Sequence, residues 1–311
     1  METRIRRAER VSDETNIKPK KKHRGLKIVS LLILVIVLLV GIVGAKAYFD
    51  VKKVSNQAYQ TIKRQTSAKL PNLTDRSAFS FLFLGVNGKT ANNILVLTVN
   101  PKQNKTIVIS LNRNIYLPSE ATTLKELYGT KGTAGEIDAI QTLLKVDIPR
   151  YMAFEMSGLG DFVEAVGGVQ VQNDTHFISS GYEFKNGSLL LQNAAEVKAF
   201  LRKVGDDAEK AEEDLIDREQ SILIAIIPKM KSANTVFHYE KFANAFGKNI
   251  KTDFTFDTIK TLGIGYNGVL GNIIKENLRP IPTTIDGVAQ KILSEAQITK
   301  AHDRIEEAIN E

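Results

Sequence analysis

The sequence predicts an α/β (α+β) domain with a mixed central sheet flanked by helices, preceded by one transmembrane helix. Three observations lead there. An uncharged apolar run lies near the N-terminus. Three short runs rich in Val, Ile, Leu and Phe, bounded by turn residues, follow between residues 79 and 111. Beyond them, segments with apolar residues three and four apart alternate with a strand-like stretch.

The apolar run is Ile28 to Ala45, IVSLLILVIVLLVGIVGA. At 1.5 Å per residue it spans about 27 Å, close to the hydrocarbon thickness of a bilayer. The membrane helix is read as residues 28–49, because Ala47 to Phe49 extends the run once Lys46 snorkels. Residues 1–27 hold ten Lys and Arg against four acids, so all but one unit of the net charge of +7 lies in this tail. A basic flank on this side orients the N-terminus to the cytosol and places the domain outside the cell membrane. Ala45-Lys46-Ala47 matches a small-x-small cleavage site, but the apolar run is longer than that of a signal peptide and is read as an uncleaved anchor. The tail has no interleaved aromatics, so orientation and contact with anionic lipid explain its charge, and no nucleic acid partner is expected. The chain has no cysteine, which excludes disulfides, thiolate metal sites and cysteine nucleophiles.

Residues 50–78 read as a solvated juxtamembrane stalk, with Val51, Val54, Ala58, Tyr59 and Ile62 at helical spacing. The domain proper is residues 79–311. FSFLFLGV (79–86) has the continuous apolar character of a buried strand. Residues 93–101 and 105–111 are two further strands, joined as a hairpin by the turn NPKQNK. Residues 134–146 and 157–166 read as helices. The second stops at Gly167-Gly168 and runs into a strand at 169–172. Helices are also expected at 193–203, 210–232, 256–262 and 285–295.

Few motifs carry chemistry on their own. GIGYNG (263–268) matches GxGxxG but follows a helical segment rather than a strand, so it reads as loop glycines. His23, His176, His238 and His302 are not paired at metal-ligand spacing. Three arginines stand out. Arg113 follows the third strand, Arg202 ends a helix, and Arg218 opens a long apolar-faced helix. The planar guanidinium suits phosphate, to which it donates two parallel hydrogen bonds.

With these residues in view, the chain over roughly 79–262 resembles the LytR–CpsA–Psr family of envelope proteins. FLFLGVN (81–87) looks like the family's first strand. NNILVLTVNPKQNKTIVISLNRNIYL (92–117) looks like its hairpin and the Ser-Ile-Pro-Arg-Asp motif that follows. RYMAFEMSGLGDFVEAVGGVQVQ (150–172) is the most specific match. FLRKV (200–204) resembles a Tyr-Val-Arg-x-Arg motif, and DREQSILIAI (217–226) resembles an Arg-Gln-Gln helix in which Arg218 and Gln220 match.

The resemblance implies a protein that binds a polyprenyl pyrophosphate in an apolar pocket and transfers the attached glycopolymer, teichoic acid or capsule, onto peptidoglycan. It implies magnesium held by aspartates, phosphates held by Arg113, Arg202, Arg218 and Gln220, and Arg113 as the catalytic residue. Departures fall on the metal positions. The carboxylates expected at 87 and 93 read Asn87 and Asn93, and the Pro-Arg-Asp motif reads Asn112-Arg113-Asn114. Val204 and Leu215 stand at two further arginine positions. Magnesium prefers charged hard oxygens, so the two amides are expected to weaken metal binding severely. Asp206, Asp207, Asp214 and Asp217 are candidate substitutes. The leading expectation is an anchored protein that recognises polyprenyl-phosphate-linked glycopolymer with weakened catalysis, acting in glycopolymer attachment or its regulation. An active magnesium-dependent phosphotransferase and a membrane-bound transcriptional regulator are the alternatives.

Overall fold

The computed structural model describes residues 46–202, 204–229, 239–266, 268, 269 and 272–311. The apolar run Ile28–Ala45 lies outside them. Among the described residues no helix is long and apolar enough to cross a membrane.

The unit Ala47–Glu311 is built on a six-stranded mixed sheet. Its members are β1 (Phe79–Asn87), β2 (Thr90–Asn100), β3 (Lys105–Leu111), β6 (Arg150–Glu155), β11 (Ile250–Thr252) and β12 (Asn272–Leu278), in the order β11-β6-β1-β2-β3-β12. β1, β2 and β3 form an antiparallel meander. β6 lies parallel to β1, and β12 parallel to β3. Four small hairpins surround the sheet. They pair β4 (Tyr116–Leu117) with β5 (Thr122–Thr123), β7 (Val169–Asn173) with β10 (Gly187–Leu191), β8 (Phe177–Ser179) with β9 (Tyr182–Phe184), and β13 (Ile281–Ile285) with β14 (Val288–Ile292).

Helices cover both faces. They are α1, helical through residue 58, α2 (Leu124–Leu144), α3 (Leu159–Ala165), α4 (Ala194–Phe200), α5 (Ala208–Lys229), α6 (Tyr239–Asn249), α7 (Phe256–Gly265) and α8 (Glu295–Asn310). Side chains alternate along β1. Leu82, Leu84 and Val86 join one core with Ile94, Ile109, α2 and α8. Phe83 faces a second core of Phe154, Phe162, Phe200 and Ile222 under α3, α4 and α5. Phe79 and Phe81 face a third with Phe254 and Tyr266. A strand buried on both sides is why the sequence there is apolar at nearly every position.

The expected α/β architecture with a mixed sheet is present. Its expected strands and most of its helices are in place, with five differences. α2 begins ten residues before the expected helix, because a break at Gly132 (φ 62°, ψ −164°) divides it and only the second half carries a regular apolar face. α4 ends at Phe200 rather than 203. Residues 285–295, read as a helix, form the turn and second strand of a hairpin and then the start of α8. Asp286 and Gly287 both have positive φ, 51° and 79°, which a two-residue hairpin turn of this kind requires. Residues 50–78 are not a solvated stalk. Val54 and Ala58 are buried, Tyr59 bridges Thr252, and the Arg64 guanidinium donates to the carbonyls of Ile148 and Pro149 and to Asp253. Gly263 and Gly265 of the GxGxxG match lie within α7 rather than in a loop.

Candidate functional site

The carboxyl ends of β1, β3 and β12 and the amino end of β2 share one edge of the sheet. Ligands of open α/β sheets bind at such edges. Residues 212–220 of α5 lie over it, and together they enclose a cleft of about 450 Å³. Asn92, Arg113 and Asn114 line it from the sheet, Asp217 and Gln220 from α5, and Arg279 and Lys291 from the C-terminal hairpin region.

Arg113 is set by the loop after β3. Its carbonyl accepts from the Lys125 N–H at 2.9 Å, and the Asn112 side chain accepts from the Asn114 N–H at 2.8 Å. Arg113 as a whole is only 6% exposed. One guanidinium nitrogen donates to Asn92 Oδ1 at 2.6 Å and another meets Glu212 Oε1 at 2.5 Å, with Lys125 Nζ 3.6 Å from the same carboxylate. Asn92 itself occupies the β-bulge of β2, where two residues oppose the single step from Gly85 to Val86.

Asn93, opposite Gly85, is wholly buried. Its amide donates to Glu219 Oε2 at 2.9 Å. Gly85 makes room for it, since a Cβ there would stand 2.7 Å from Met156 Sδ and 2.8 Å from Asn93 Cβ. Burial raises the Glu219 carboxyl to about 7, against the lowering effect of the Asn93 hydrogen bond and of Arg113. Burial, then the neighbouring Asp214 and Asp174, also raise Asp217.

The three predicted arginines do not converge as a set. Arg113 and Gln220 share the cleft. Arg218 is buried, stacked over Phe177 at 4.8 Å and Phe200 at 5.7 Å, and donates to the Arg202 carbonyl at 2.8 Å. Burial lowers its pKa. The Arg202 side chain is exposed and donates to Ser180 Oγ at 3.1 Å. Asn87 is exposed at the mouth of a two-residue turn whose first residue, Gly88, has φ 61°.

Sequence reasoning missed Glu212, Glu219, Arg279 and Lys291. Glu219 had a signal, since it stands between Arg218 and Gln220 where the Arg-Gln-Gln pattern has an amide. Arg279 and Lys291 had none, because only the parallel pairing of β12 with β3 brings them to Arg113. Among the described residues no group of three or more acidic or histidine side chains is placed to hold a metal unaided. A magnesium ion that takes one carboxylate and completes its shell with water and phosphate still fits Glu219 and the buried Asn93 oxygen, which has no hydrogen-bond partner.

The fold and the cleft define an α/β protein with an arginine-centred, phosphate-suited site at the carboxyl ends of its strands. The chain belongs to the LytR_cpsA_psr family, whose profile matches residues 45–307. It is similar to TagU of Enterococcus faecalis, a polyisoprenyl-teichoic acid–peptidoglycan teichoic acid transferase. The two are 28% identical over 302 residues, covering 92% of this chain and 99% of that protein. A solved Enterococcus faecalis structure described as a transcriptional regulator is 27% identical, covers 78% of this chain and 91% of its own, and gives a TM-score of 0.65. A structure of TagT bound to LIIa-WTA shares the fold at 16% identity, with a TM-score of 0.65 over 81% of this chain and 100% of that one.

Proposed function

We propose that this protein, anchored by residues 28–49 with its domain outside the membrane, binds a polyprenyl-(pyro)phosphate-linked glycopolymer and acts in attaching cell-wall glycopolymer, such as teichoic acid, to peptidoglycan. Family membership and the similarity to TagU support the class of reaction. The observation that carries the site is Arg113, held in a cleft at the carboxyl ends of the strands with Arg279 and Lys291 across from it. Phosphoryl chemistry requires positioning and charge neutralisation above all, and these three cations supply both. Asn87 and Asn93 carry no charge, so metal assistance is weaker than at a site with two aspartates, and release of the phosphate is expected to be slow. Magnesium, when bound, would neutralise phosphate charge.

The full chain in detergent, mixed with a polyprenyl pyrophosphate, tests this reading by binding and phosphate release in magnesium and in EDTA. Binding that survives EDTA and falls in Arg113→Ala is the expected result. Rapid magnesium-dependent release would replace slow catalysis with full transferase activity. Binding unaffected by Arg113→Ala would remove the cleft from consideration.

A further inference from the structure

Next to the cleft, β2 and α5 bring the buried side chains of Asn93 and Glu219 together. Asn93 is 0% exposed and Glu219 is 3% exposed. The Asn93 amide nitrogen donates to Glu219 at 2.9 Å, which leaves Asn93 Oδ1 buried with no hydrogen-bond partner. The neighbouring guanidinium of Arg113 is already occupied by Asn92 and Glu212. Glu219 is therefore a buried carboxyl whose hydrogen-bond partner is a neutral amide, beside an oxygen that accepts from nothing. Buried charges are ordinarily paired or coordinate metals. Hard divalent cations take oxygen donors of these two kinds, one carboxylate often sufficing when phosphate and water complete the shell.

We infer that Glu219 is the carboxylate that holds a divalent cation beside this cleft, with Asn93 contributing a neutral oxygen. The amide lies on β2 and the carboxylate on α5, joined by one hydrogen bond. The inference rests on the phosphate-binding reading only for the remaining ligands.

Manganese, followed by electron paramagnetic resonance, replaces magnesium as the probe. The full chain in detergent is titrated with and without geranyl pyrophosphate, and geranyl pyrophosphate binding is measured separately in EDTA. Circular dichroism confirms that each variant is folded. The expected result is one bound manganese in the wild type, affinity lowered about tenfold or more in Glu219→Gln, and recovery to within about threefold in Asn93→Asp/Glu219→Gln, where the carboxylate returns on β2. Unchanged manganese binding in Glu219→Gln overturns the inference, as does failure of the double variant to recover. A wild type that binds geranyl pyrophosphate in EDTA but no manganese overturns it and leaves the phosphate cleft standing. Manganese binding that falls in Glu219→Gln, with no geranyl pyrophosphate binding by the wild type, supports Glu219 and overturns the phosphate reading instead.

Discussion

Glu136 on α2 is 0% exposed and neither of its carboxyl oxygens makes a hydrogen bond. Burial raises its pKa well above the ordinary carboxylate range, with only a smaller opposing effect from the Tyr128 main chain. An acid whose folded pKa exceeds its unfolded value keeps its proton longer in the native state, so stability falls as pH rises through that interval. Glu136→Gln is expected to match the wild type near pH 4 and to exceed it by about 1–3 kcal/mol at pH 8, read from urea unfolding at the two pH values. A constant difference at both would show that ionisation is not the cause. Glu212 is the residue-scale control of the cleft, because its carboxylate meets Arg113 at 2.5 Å. A phosphate must compete with it. Glu212→Gln is expected to tighten geranyl pyrophosphate binding by about tenfold, about 1.4 kcal/mol, measured by calorimetry in EDTA. Weaker binding would mean that Glu212 orients Arg113 more than it neutralises it.

Elements meet closely where glycine permits. Gly160 on α3 faces the start of α4, and a Cβ there would stand 2.8 Å from Ala194 Cα. Backbone in that position cannot move aside cheaply, so Gly160→Val is expected to cost about 1–3 kcal/mol of unfolding free energy, read from urea unfolding. α4 itself starts on Asn193, whose side chain accepts from the N–H groups of Ala195 and Glu196. The run GLGD within 150–172 was legible as family pattern before its reason was visible. The C-terminal hairpin was not legible. Its apolar residues Ile285, Val288, Ile292 and Leu293 fall at helix-like intervals, and turn chemistry at Asp286-Gly287 overrides that period.

At the scale of the molecule, the segment after α1 straps across the sheet. Arg64 meets Asp253 at 2.9 Å, with side chains 14% and 11% exposed, and donates to two carbonyls of the loop before β6. Burial raises the Asp253 carboxyl, which the Tyr151 hydrogen bond and then Arg150 and Arg64 oppose. Loss of a charge-assisted bond at this depth leaves acceptors unpaired, so Arg64→Met is expected to lower stability by about 2 kcal/mol in urea unfolding. No change would mean that the strap is held by its other bonds, such as those from the Gln65 and Thr66 N–H groups to Asp138.

The sequence by itself determined the mixed α/β class, the hairpin of β2 and β3, and the family. Those features rest on local signals: continuous apolar runs, turn residues and short motifs whose spacing survives in one dimension. Only the tertiary structure decided which residues share the site. Arg202 and Arg218 carry motif positions, yet one side chain is exposed and the other is buried against Phe177 and Phe200. Arg279 reaches Arg113 because β12 pairs with β3 across more than a hundred and sixty residues of chain. Glu219 faces Asn93 because α5 crosses the end of β2. Such pairings depend on long-range packing, which local propensity and periodicity do not encode.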